Sequence, residues 1–186
     1  MPTIPPAVRL VLAAVLLALA LPASAQTTSG AVRLSGPRAG VTLLSPDTVR
    51  RINDRFRDAG LAEGEGDVID PTMPVVTQFG WQFETRVFQS EGGLTGLTEF
   101  VPLVGGLDRG ILLPSATFLV GARTRDGIEF GVGPNVSATG VAYALAAGFN
   151  ARAGEVNVPF NLAAALGKGG PRVSLLVGMT FSNRRY

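Results

Sequence analysis

The chain has 186 residues, enough for one domain with a real core and too few for two comfortable ones. Hydrophobic residues make up 46% and glycine 24 positions, while only 16% are charged, against roughly one quarter in typical soluble domains. Lys+Arg 16 against Asp+Glu 14 leaves a net charge of +2 and no basic run, which argues against a nucleic-acid partner, and the absence of cysteine excludes disulfides and thiol-linked lipid.

The first segment, MPTIPPAVRL, carries a lone Arg9 ahead of an apolar run that ends at Ala23-Ser24-Ala25. A short basic region, an apolar stretch and a small-residue site form the pattern of a secretory signal peptide. The run from Val8 to Pro22 is shorter than the ~20 residues of a spanning helix. Residues 1–25 are therefore expected to be cleaved after Ala25, leaving a polar linker at 26–30 and a mature domain at 31–186.

A first strand is expected over 31–45, with a break near Gly36-Pro37. The next stretch, SPDTVRRINDRFRDAG, predicts a helix over 46–59. Ser45 can cap it, Pro46 suits its first position, Asp47 suits the dipole, and Gly60 follows its end. Val49, Ile52 and Phe56 form a narrow apolar stripe among Arg50, Arg51, Arg55 and Arg57. Those arginines read as a solvated face in preference to a lipid-phosphate contact. Glu63, Glu65, Asp67 and Asp70 follow in a polar loop whose spacing does not fit a calcium loop.

Beyond this loop the rhythm is strand and turn. Strands are expected near 75–89, 94–104, 111–124, 127–137, 140–151, 155–166 and 172–181. SEGG, GGLDRG, RDG, SATG, RAG and GKGGP separate them, and the first segment brings the count to eight.

Side chains alternate across a strand, so each segment has two faces. One face carries Phe79, Trp81, Phe83 and Val87, then Ile128, Phe130, Val132 and Val136, then Val141, Tyr143, Leu145 and Phe149. It continues with Val156, Val158, Phe160 and Leu162, and ends on Val173, Leu175, Val177, Met179 and Phe181. The opposite face is small or polar: Gly, Ala, Asn, Gln and scattered charges, with Lys168 the only lysine of the chain. A soluble barrel should turn its bulky apolar face inward and show water a lysine- and glutamate-rich surface. Small and polar residues in a narrow lumen with large apolar residues facing lipid fit better, as in a membrane barrel. The fold class expected is all-β: an antiparallel up-and-down transmembrane β-barrel of about eight strands, with one short helix in its first long loop.

The closing stretch VSLLVGMTF resembles the last strand of Gram-negative outer-membrane barrels, which alternates apolar residues and ends on an aromatic. Taken whole, residues 31–181 resemble the small eight-stranded outer-membrane proteins of the OmpA/OmpX type. The resemblance implies an outer-membrane location, lipid as the surrounding partner, and recognition of the strand bearing Val173, Leu175, Val177, Met179 and Phe181 by the barrel-assembly machinery. Here SNRRY follows Met179 and Thr180-Phe181, a tail that departs from the family pattern.

Chemistry is limited by what is missing. The chain has no histidine, and enzymatic outer-membrane barrels rely on one as a base or in a related role. Glu84, Arg86, Glu99, Arg123, Glu129, Arg152 and Glu155 all fall on the expected lumen face, where three arginines and four glutamates can pair. Pairing is favoured over a two-carboxylate hydrolase. No catalytic residue, metal site or cofactor is expected, and a monomer is favoured. The expectation is a non-enzymatic barrel with a charge-plugged lumen and a structural or surface-interaction role. The alternative is a secreted or periplasmic soluble barrel that encloses an apolar ligand.

Overall fold

The computed structural model describes residues 32–61, 67–153 and 156–182. The expected signal peptide and linker, Glu63, Glu65, Glu155 and residues 183–186 lie outside the described residues. The elements are β1 (Arg33–Leu44), α1 (Pro46–Asp58), β2 (Val75–Gln89), β3 (Thr95–Gly105), a 3-10 turn (Leu107–Arg109), β4 (Leu113–Arg123) and β5 (Ile128–Ser137). β6 (Gly140–Ala153), β7 (Val156–Gly167), β8 (Arg172–Gly178) and β9 (Thr180–Ser182) complete the chain. From β1 to β8 each strand pairs antiparallel with the next in sequence, β9 pairs with β7, and β1 closes the sheet by pairing with β2 on one side and with β8 and β9 on the other. β9 continues β8 past Met179, so the nine segments form an eight-stranded, closed, up-and-down barrel with one short helix after the first strand.

The break expected at Gly36-Pro37 falls instead on the strand opposite. β1 runs unbroken from Arg33 to Leu44, and the gap between β8 and β9 is at Met179. Proline explains the transfer. The Pro37 carbonyl accepts from the Met179 N–H at 3.1 Å, but the ring nitrogen has no hydrogen to return to that partner. The Met179 carbonyl leans over Gly36, where any side chain would collide with it. A second irregularity lies in β2, where the register against β3 shifts between Arg86 and Phe88. The extra residue turns both Val87 and Phe88 outward, where strict alternation would have sent Phe88 to the lumen.

The helix forms where its signals place it. Ser45 Oγ accepts from the Thr48 N–H at 3.3 Å, Pro46 opens the first turn, and Ala59 caps the end one residue earlier than expected. Val49 and Ile52 are buried in a cluster with Leu44, Ile69, Val76, Ile111 and Leu113, and Phe56 packs at its edge. Asn53 fixes the returning loop by exchanging two hydrogen bonds of 2.9 Å with the backbone of Ile69. Thr48 Oγ1 donates to the Gly169 carbonyl at 3.1 Å, and Arg55 donates to the carbonyl of Ala138. α1 therefore lies against the barrel end that carries the β3–β4, β5–β6 and β7–β8 turns. Two more of its arginines are engaged locally, Arg50 with Asp47 and Arg57 with Asp54 at 3.1 Å and Asp67 at 3.3 Å, while Arg51 is exposed. At the same end, the Thr77 hydroxyl donates to Asp108 at 2.5 Å and holds that carboxyl below the usual carboxylate range.

Candidate functional site: the barrel lumen

Burial along the strands resolves the two faces. In β2, Phe79, Trp81 and Phe83 are exposed on the outside while Gln82 and Glu84 are fully buried inside. β5 repeats this with Ile128, Phe130, Val132 and Val136 outside and Glu129, Asn135 and Ser137 buried. In β6 the outward Val141, Tyr143, Leu145 and Phe149 oppose the buried Ala142 and Ala144. Val173, Leu175, Val177, Met179 and Phe181 are all exposed on the outer wall. Two outward aromatic pairs stack across neighbouring strands, Phe83 with Phe100 and Phe149 with Phe160. Among the strand side chains described, which leave out Arg152, Arg33 at the first position of β1 is the one charge that points outward.

The lumen is narrow because small residues line much of it. Gly133 shows why they are required: a methyl group there would strike the Phe118 carbonyl of the adjacent strand. Tight coiling of an eight-stranded wall brings backbones close on the concave side, and only glycine fits such an approach.

Three of the anticipated lumen charges meet in one cluster. Arg123 Nη1 and Nη2 donate to the two oxygens of Glu84 at 2.8 and 2.6 Å, and Nε donates to Glu129 Oε1 at 2.5 Å. Arg86 approaches Glu84 to 3.5 Å and is itself partly exposed. Glu99 stands beside Glu84 in the β2–β3 register and is buried, but it makes no ion pair within 4.0 Å among the described residues. Arg152 lies in β6 opposite Asn157, and its side chain, like Glu155, is outside the described part.

Two lumen arginines were not anticipated. Arg38 is 2% exposed, and its Nε and Nη1 donate to Gln82 Oε1 and Asn161 Oδ1, each at 2.5 Å. Arg172 donates to Ser137 Oγ at 2.7 Å, to Asn135 Oδ1 at 2.9 Å and to Thr139 Oγ1. Simple alternation through Gly36-Pro37 would have found Arg38, which shares its face with Leu34, Thr42 and Leu44. The polar partners of both arginines come from strands distant in sequence, and no local signal announces them.

Between the Arg38 level and α1 lies a cavity of about 100 Å³. Leu44, Ile52, Val76 and Leu113 line it near the helix, Arg172 with Asn135 and Ser137 on one wall, and Arg38 with Glu99 further in. At the other end, a polar vestibule of about 630 Å³ is bordered by Arg86, Arg123, Arg125, Asp126 and Asn150. The chain as a whole matches no family model and no curated protein.

Proposed function

We propose that the chain is a non-enzymatic outer-membrane β-barrel of the OmpA/OmpX type, exported by a cleaved signal peptide, with a lumen filled by its own charged and polar side chains. Its role is structural or lies in surface interactions of the bacterial envelope. One observation carries the reading: the barrel is inverted relative to a soluble protein. Phe79, Trp81, Phe83, Phe130, Leu145, Phe149, Leu162 and Leu175 are each 42–58% exposed on the outer wall, while Gln82, Glu84, Arg38 and Glu129 are buried. Leaving eight such side chains half in water forgoes about 1 kcal/mol each, which together is comparable to a typical net stability of about 5–15 kcal/mol. Lipid removes that penalty, and closure satisfies the backbone in hydrocarbon. A soluble barrel around an apolar ligand would need the reverse distribution.

With eight strands, both ends of the barrel segment lie on one side, assigned here to the periplasm. α1 and the turns at 106–112, 138–139 and 168–171 then face outward from the cell. Arg123 neutralises Glu84 and Glu129 in the lumen, and the lack of histidine and cysteine leaves no ready base or thiol nucleophile. Fractionation tests the assignment. The mature protein should partition with outer membranes and migrate differently in gels before and after heating. A soluble periplasmic pool would refute the membrane reading.

A further inference from the structure

We infer that the cavity beneath α1 is a binding site for a short-chain monocarboxylate, with its acid group on Arg172 and its tail against Leu44, Ile52, Val76 and Leu113. The cavity lies inside the barrel and is the same whichever medium the outer wall meets.

Arg172 is the starting point. It opens β8, lines the cavity, and is bonded only to neutral oxygens, those of Asn135, Ser137 and Thr139. No carboxylate lies within 4.0 Å of it among the described residues, unlike Arg123, which has two. Arg172 is partly buried, and a partly desolvated guanidinium without a counter-charge gains from an anion at its side.

The geometry of the free donors selects the anion. A guanidinium has five N–H groups. Nη1 donates to Ser137 and Thr139 and Nη2 donates to Asn135, so Nε has no hydrogen-bond partner among the described residues. A carboxylate brings two oxygens, one for the Nε–H and one for a neighbouring N–H of the guanidinium, a match that a neutral amide lacks.

The rest of the cavity selects the tail. Leu44, Ile52, Val76 and Leu113 are buried apolar side chains on its α1 side, so inorganic phosphate would leave that wall without a partner. At the inner end Arg38 is already bonded to Gln82 and Asn161 and stands near Glu99, so a second acid group gains little there. A cavity of about 150 Å³ takes a benzene, so a volume of about 100 Å³ limits the tail to about three to five carbons.

Butyrate is the probe. Protein refolded in detergent micelles, its folded state checked by heat-dependent gel migration, is titrated calorimetrically with butyrate, with the neutral isostere butyramide and with inorganic phosphate. Saturable butyrate binding is expected, with butyramide and phosphate at least about tenfold weaker. Arg172→Gln should abolish it, and Arg172→Lys, which keeps the charge but loses the fork, should weaken it about tenfold. Ala144→Leu fills the cavity without touching Arg172 and should also remove binding, which keeps the test open if Arg172→Gln fails to fold. Absence of saturable butyrate binding, equal binding of butyramide or phosphate, or full affinity in a folded Arg172 or Ala144 variant would each overturn the assignment.

Discussion

Replacing Arg123 by methionine keeps most of the side-chain volume and removes the guanidinium that bridges Glu84 and Glu129. The side chains of Glu84, Glu129 and Arg123 are 1%, 4% and 9% exposed, so water cannot take over the three lost hydrogen bonds. Arg86, 3.5 Å from Glu84 and 25% exposed, compensates only in part. Breaking a buried pair and stranding its partner costs about 3–5 kcal/mol. The triple variant Arg123→Met, Glu84→Leu, Glu129→Leu removes every member of the cluster and should recover most of that loss, since apolar replacement of a whole buried ion group is often neutral. Urea unfolding from lipid vesicles, followed by the fluorescence of Trp81, measures both, because Trp81 is the single tryptophan and sits on the outer wall. A single variant that costs under about 1 kcal/mol, the range of exposed ion pairs, would refute the reasoning. So would a triple variant as unstable as the single one.

On the outer wall, Leu145→Arg should cost about 2–4 kcal/mol in a bilayer, whereas Leu145→Phe should be tolerated; refolding yields that rank the two the other way would place Leu145 against packed protein. Gly133→Ala should cost about 1–3 kcal/mol through collision with the Phe118 carbonyl, while Gly92→Ala, whose nearest neighbour is the Ser90 hydroxyl at 3.8 Å, should stay within about 0.5 kcal/mol by the same unfolding assay. Because the chain has no cysteine, single cysteines report orientation cleanly: one at Thr72 should react with an impermeant maleimide on intact cells, and one at Asp126 only after permeabilisation. Planar-bilayer recordings of refolded protein should show no stable open pore, since eight strands leave an interior filled by side chains; reproducible steps abolished by Gly131→Trp would contradict a closed lumen.

The barrel was legible because its alternation is nearly uninterrupted from Ile128 to Phe181, where large apolar residues are flanked by small or polar neighbours except at Leu175–Leu176–Val177. The helix was legible for local reasons, its capping serine, its proline and the Val49–Ile52–Phe56 stripe. What that stripe packs against was not, because Ile69, Val76, Ile111 and Leu113 come from three separate parts of the chain. Local reading failed at two places. Gly36-Pro37 looks like a strand break, yet the missing donor disturbs the partner strand at Met179, so Arg38 went unplaced. The shift after Arg86 depends on pairing with Gly96 and Leu97, and nothing in VFQ alone marks it. The Arg123 cluster drew on three strands, and alternation supplied its common face but not its partners. Arg172 sits one residue after a proline and reads as part of a turn until Asn135 and Ser137 are brought to it.

The seam at Pro37 has a kinetic consequence. Every hairpin from β2 to β8 joins neighbours in sequence, but closure joins β1 to β8 and β9, as in the Thr42–Ser174 hydroxyl pair, whose members are 132 residues apart. Loop-closure entropy makes that contact the most expensive to nucleate, so it forms last and limits the folding rate. Registered pairing along the seam stops at Arg38–Gly178 and resumes at Ser35–Phe181. Zipping must therefore start twice, once on each side of the proline. The interval between those two events is when the two terminal edges of the sheet are open to another chain.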